Sequence, residues 1–302
     1  MTGVPEQALA MVLALAGALS YAIASVTQQR SAAALGSGRS FEPALLLRLA
    51  RTRRWLLGLI AVGIGFGLQA VALELGRLVI VEPVFPLGLL LALLLAARAE
   101  GRRLQLPEWT AALAAVAGLA AFLVAAEPSG GDRTAPASSL GLAALGSVLA
   151  VALCWLAAAR VATPQRALVL SIGGGVGAGV TDALTKTVAT LAGAHGLALL
   201  GDVRLYLLAV VGLLTLTVQQ NAYRAAGLAA SLPAFVVLEP LVGSLLGLFI
   251  YHERVGGGGL RITIEVLAVL AATWGIVRLT KSVIAELARL ATLTAQPADP
   301  AA

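Results

Sequence analysis

Apolar residues fall in long, nearly unbroken runs, and the short segments between the runs carry most of the arginine and proline. Runs long enough to cross about 30 Å of hydrocarbon predict membrane-spanning helices. Nine are expected, at approximately 7–28, 55–75, 78–97, 108–126, 139–159, 167–192, 205–223, 229–250 and 260–280. The stretch 41–47, Phe-Glu-Pro-Ala-Leu-Leu-Leu, is too short to span and lies among arginines, so a short interfacial helix is expected between Ser31 and Arg54. Residues 127–139 read as a loop at the middle of the chain and 256–259 as a glycine turn. The tail 296–302, with Pro297 and Pro300, is expected to be disordered. The expected fold class is an all-α integral membrane protein.

Laying the two halves of the chain over one another brings out a weak but ordered repeat. Ser20–Arg30 falls on Gly177–Thr187, so that Ser25 meets Asp182 and Gln29 meets Lys186. The same shift sets Glu82-Pro83 on Glu239-Pro240, and a slightly smaller one sets Gln69 on Gln220. Spans one to four would then recur as spans six to nine, inverted because five spans separate equivalents. The chain is thus expected to be one membrane domain, 1–302, with a first half at 1–126, a linking helix at 139–159 and a second half at 167–280. Inverted repeats with a site near the bilayer midplane are the plan of many secondary transporters.

Composition sharpens this. Of 302 residues, 59% are hydrophobic and 12% charged, against about 25% charged in soluble domains. A net charge of +6 and a pI near 10.2 would fit a nucleic-acid binder, but 19 of the 21 basic residues are arginines gathered between apolar runs. Fifteen basic residues fall on one side of the nine-span topology and five on the other. The positive-inside rule then places the N-terminus outside and the C-terminus in the cytoplasm of a plasma-membrane protein. The expected partners are the bilayer and a small-molecule or ion substrate, with no nucleic acid; a homodimer is left open. A cleaved leader is not expected, since Glu6 and no Lys or Arg precedes the first run. Cys154 stands alone, so no intrachain disulfide can form. His252-Glu253 lacks the second histidine of a zincin, and no nucleophile elbow or cysteine pair occurs, so neither an enzyme nor a cofactor is expected.

The candidate chemistry lies inside the spans. Asp182 and Lys186 are four apart, in the order that favours an ion pair on one helix face. The preceding glycines form small-xxx-small patterns, Gly173 with Gly177 and Gly175 with Gly179, which admit a neighbouring helix. Glu239 precedes Pro240 near the middle of its span, where a proline frees backbone carbonyls. Glu82 precedes Pro83 in the equivalent span, Gln69 lies in the second, and Gln220 and Asn221 lie in the seventh. Charge at bilayer depth costs a few kcal/mol and by default faces a cavity or a partner. The expected site therefore has Asp182 and Lys186 facing a cleft between the halves, Glu239 opposite, and Gln220 and Asn221 lining it. A pair that only staples two helices is the structural alternative. Glu74 and Glu265 read as wetted span ends.

Four motifs, in order along nearly the whole chain, carry a resemblance. They are Arg54-Trp55-Leu-Leu-Gly, Pro86-Leu-Gly-Leu-Leu, Gly177-Ala-Gly-Val-Thr-Asp-Ala-Leu-Thr-Lys186 and Gln220-Asn221-Ala-Tyr223-Arg-Ala-Ala226. Together they resemble the NIPA-type branch, the magnesium transporter NIPA-like proteins, of the drug/metabolite transporter superfamily. The resemblance implies a nine-helix inverted-repeat carrier working by alternating access, with magnesium or another divalent cation as one substrate class. The wider superfamily implies small organic solutes. A lipid translocator or a scaffold subunit is the alternative from another class.

Overall fold

The computed structural model describes residues 4–36, 42, 44–75, 81, 84–126, 131–132, 134–253 and 259–295. Among them the protein is helical throughout, without strands. Its α-helices are α1 (Val4–Ala33), α2 (Leu45–Leu49), α3 (Arg53–Leu75), α4 (Leu87–Ala99), α5 (Leu106–Ala126) and α6 (Ala137–Ala158), followed by α7 (Thr163–His195), α8 (Val203–Ala225), α9 (Leu228–Ser231), α10 (Pro233–Ile250) and α11 (Gly259–Ala295). A 3-10 turn, Gly196–Gly201, joins α7 to α8.

Eight segments among the described residues are helices long and apolar enough to cross a membrane, which makes this a multi-pass membrane protein. One of the eight, Leu228–Ile250, is α9 and α10 in series. They part at Leu232 because the proline ring at 233 clashes with the preceding turn. Of the third expected span the described residues include the helix Leu87–Ala99, whose 13 residues rise about 20 Å; positions 76–80 and 82–83 lie outside the described residues. The expected tail at 296–302 and most of the glycine turn at 256–259 lie outside the described residues.

Burial follows side-chain size. Ala10, Ala14, Ala18 and Ala22 recur every four residues along α1 and are at most 1% exposed, so their stripe lies against other helices. The seam between α5 and α11 is closer still. A Cβ on Gly118 would lie 2.6 Å from the Ala268 carbonyl oxygen, and one on Gly275 would lie 2.7 Å from the Ala115 nitrogen. Between helices in lipid, contact of this kind replaces the hydrophobic drive available in water. The outward stripes are large and apolar: Leu142, Leu145, Leu149, Leu153 and Leu156 on α6 are all exposed, as a lipid-facing helix requires.

Helix α7 is surrounded, with α6, α8, α9 and α10 packed on it. Its glycines are shared out among these neighbours: Gly173 meets Cys154 and Val151 of α6, Gly177 meets Thr215 of α8, and Gly175 and Gly179 meet α10. A second hub is α1, packed on α3 and α4 as well as on α8.

The expected interfacial helix exists as α2, but it is inserted rather than laid on the surface. Leu45 and Leu49 are fully buried in a cluster with Trp55, Leu89, Leu93 and Tyr223. Its five residues are too few for an amphipathic helix to hold at an interface by itself, and the bundle supplies the apolar contact instead.

Candidate functional site

Three polar assemblies lie along the bundle, one at each end and one between. The first joins the segment before α2 to α8. Asn221 behaves like a piece of backbone: its Oδ1 accepts from the Glu42 amide at 2.9 Å and its Nδ2 donates to the Glu42 carbonyl at 3.3 Å. The Glu42 carboxylate takes the Arg224 guanidinium on one side and Arg48, at 3.1 Å, on the other. These hydrogen bonds, Arg224 first, hold the Glu42 carboxyl below its ordinary range. One residue before Asn221, Gln220 is fully buried, accepting from Trp55 Nε1 at 3.1 Å and donating to Gln28 at 2.7 Å. Gln220 thus ties α8 to α1 and α3, while Asn221 ties it to the α2 segment.

The second assembly lies at the opposite end, around the last third of α7. Lys186 forms its ion pair with Glu253, and its Nζ sits 4.2 Å from the centre of the Tyr251 ring. The Tyr251 hydroxyl donates to the Ala183 carbonyl and stands 2.6 Å from Thr187 Oγ1, which accepts from the Ala135 amide at 3.1 Å. The Asp132 amide donates to the Tyr251 carbonyl at 2.7 Å, and the Glu253 amide to Gly247 at 3.0 Å. Two strands of loop are thereby strapped across α7. Nearby, Arg204 holds the Asp202 carboxyl down to about 2 through side-chain and backbone hydrogen bonds.

The third assembly holds the two acids. Glu239 lies near the middle of Leu228–Ile250, and its carbonyl oxygen would be 2.7 Å from a Cβ on Gly179. That contact sets the Glu239 backbone against α7 less than one turn before Asp182. The two carboxylates lie within electrostatic range of one another, and Tyr21 of α1 lies within range of both. The Tyr21 hydroxyl donates to Gln69 of α3 at 2.9 Å, and its ring meets Phe85 edge-on with centroids 6.3 Å apart. Among the described residues neither carboxylate has a hydrogen-bond or ion-pair partner, yet Asp182 is exposed and Glu239 half-buried.

The expected site is therefore partly assembled. Asp182 and Glu239 come together, and Gln69 reaches them through Tyr21. The expected pair of Asp182 with Lys186 is not formed, because Glu253 offers the ammonium a carboxylate beside an aromatic face. Gln220 and Asn221 do not join the two acids; their amides are used up within the end assembly. Glu82 lies outside the described residues. Glu265 departs from its wetted reading, with one carboxylate oxygen enclosed and without a hydrogen bond. No group of three or more His, Cys, Asp and Glu that could hold a metal occurs among the described residues. Sequence reasoning passed over Tyr21, Glu42, Tyr251 and Glu253. The signal for Tyr21 was a lone tyrosine inside an apolar run, four residues before Ser25 on the same helix face.

No protein-family model matches the chain, and no solved structure matches it. A protein of Corynebacterium glutamicum, bearing the description "Uncharacterized protein Cgl0250/cg0304", is 32% identical over 255 residues, covering 82% of this chain and 86% of the relative.

Proposed function

The chain belongs to the same family as the Corynebacterium glutamicum protein, and from its two unpartnered carboxylates we propose that it is a secondary transporter for a small cation or cationic solute. The carrying observation is that Asp182 and Glu239 lie within electrostatic range of one another without a partner among the described residues, while the neighbouring cation, Lys186, is bound to Glu253; we read the space these two acids face as the transport cleft. Two uncompensated carboxylates at this depth call for positive charge from elsewhere, either protons or a bound cation. A site that can hold one or the other exchanges them, which is what coupling solute movement to a proton gradient requires. Tyr21 and Gln69 give the cleft a polar wall, and Phe85 backs the tyrosine ring.

The pairing of helices supports the inverted repeat and alternating access across the plasma membrane. Contacts of α1 with α3, α1 with α4 and α4 with α5 recur as α7 with α8, α7 with α10 and α10 with α11. With α4 counted as a short span, nine spans result, and the arginine bias puts the Glu42 end in the cytoplasm and the Lys186 end outside. These features fit the drug/metabolite transporter plan. Magnesium, the substrate that NIPA-type proteins suggest, is favoured by one observation: with Lys186 engaged by Glu253, no ammonium opposes a divalent ion at Asp182. Magnesium is commonly held by one or two carboxylates with several retained waters.

The test is transport in proteoliposomes, with and without a proton gradient, for magnesium and a set of small organic cations. Uptake that collapses in Asp182→Asn and in Glu239→Gln is expected. A well-folded protein that moves no cation under either condition would favour a scaffold instead.

A further inference from the structure

Lys186 has two acids within its reach and binds one. Asp182 lies one helical turn back on the same face of α7, in the acid-before-base order that pairs well, and carries no partner. Glu253 comes from the loop after α10 and holds the ammonium in the strap that also contains Tyr251, Thr187, Asp132 and Ala135. The lysine is not locked in place by burial, since its side chain is 38% exposed against 17% for Glu253.

We propose that Lys186 is a coupling residue that exchanges partners between Glu253 and Asp182, so that occupancy of the cleft controls the strap. The inference rests on the reading of Asp182 as a cation-holding residue. With a cation or proton on Asp182, that carboxylate no longer competes, and Lys186 returns to Glu253 and closes the strap over this end of α7. With Asp182 ionised and neither proton nor cation on it, two neighbouring carboxylates lack a counter-ion and draw the ammonium toward Asp182, away from the arrangement with Glu253 that the structure contains. Glu253 is then left in a loop where water can reach it, and the strap loosens. An uncompensated carboxylate among helices is costly, as is a broken half-buried ion pair, so the two arrangements are close enough in free energy for a bound cation to decide between them. Such exchange makes the empty and occupied cleft different at the mouth, which alternating access requires.

Backbone exchange reads the strap without knowledge of the substrate. Hydrogen–deuterium exchange of the purified protein in detergent would follow peptides covering 131–135 and 246–253; the amides of Asp132 and Ala135 are bonded across the strap, and that of Glu253 is bonded to Gly247 at its base. Peptides from 217–225, at the opposite end, serve as reference. Asp182→Asn removes the competing acid and should slow exchange of the strap by about tenfold, leaving the reference unchanged. Lys186→Met should speed it, and Asp182→Asn added to Lys186→Met should have no further effect. If Lys186 were only a staple, Asp182→Asn would leave the strap at the parent rate or speed it, and either result overturns the inference. Should Lys186→Met fail to fold, Asp182→Asn alone still decides, since it removes no bond that the structure contains. Cation uptake by the same purified protein reconstituted into proteoliposomes separates the two proposals: its absence counts against the transport reading whichever way the strap responds.

Discussion

The ends of this bundle and its middle handle charge in opposite ways. At the ends every acid considered has a cation: Glu42 has Arg224 and Arg48, Glu253 has Lys186, and Asp202 has Arg204. In the middle, where desolvation makes a bare charge most costly, Asp182 and Glu239 have each other and no counter-ion. A chain selected for stability alone would have the reverse arrangement. The paired ends hold segments in place, whereas the unpaired middle is where the proposed transport reading puts a charge that arrives and departs.

The same chemical change, acid to amide, should therefore act in opposite directions in the two regions. The largest loss is expected for Glu42→Gln, which takes the carboxylate away from a guanidinium whose side chain is 3% exposed. Breaking a buried pair in this way costs about 3 kcal/mol, and thermal unfolding in detergent should show it as a clear fall in Tm. Asp182→Asn and Glu239→Gln remove no bond, so neither should lower the Tm.

A smaller stability effect tests how the middle is positioned. A Cβ on Gly179 would meet the Glu239 carbonyl oxygen at 2.7 Å and the Gly243 nitrogen at 2.9 Å, both backbone atoms that cannot swing away. Gly179→Ala should cost about 1–3 kcal/mol by overpacking and should impair uptake by pushing Glu239 off α7. Gly212→Ala, whose Cβ would sit 3.8 Å from Thr181 Cγ2, should be tolerated. Equal effects of the two would remove the reason for the glycines on this face.

The smallest effect is a pH response at the Glu42 end. Because its folded pKa is lowered by Arg224 and Arg48, Glu42 contributes to docking of the α2 segment fully above the ordinary carboxylate pKa, about 4.3, and progressively less as pH falls through its own lower value. A spin label at Leu47, which is 72% exposed on α2, should keep constant mobility from about pH 8 to pH 5 and gain mobility only below about pH 4. Release near neutral pH would mean that the carboxylate is not held as described.

The apolar runs made the helices readable, because nothing but helix satisfies a backbone at bilayer depth. Among the described residues eight of the expected spans are helices long and apolar enough to cross, and at the place of the third stands a shorter apolar helix, Leu87–Ala99. Glycine spacing in α7 correctly announced close approach, but only contacts in three dimensions show that Gly175 and Gly179 face α10 while Gly177 faces α8. Asp182 and Glu239 could be found as isolated acids in apolar surroundings. Glu239 was expected opposite Asp182; that Lys186 would leave Asp182 could not be foreseen, since spacing along one helix says nothing of a competing acid 67 residues on. Gln220 and Asn221 misled for the same reason: a buried amide looks alike in sequence whether it lines a path or is fully bonded to its neighbours.

Thermal unfolding of the double variant Asp182→Asn/Glu239→Gln beside the parent, each alone and with magnesium or small organic cations, separates the middle from the ends most directly. The double variant should unfold no lower than the parent when no cation is added. The rise in Tm that a bound cation gives the parent should be absent from it. A double variant that unfolds as low as Glu42→Gln, yet still gains stability from the same cations, would contradict the assignment of these two carboxylates to the transported charge.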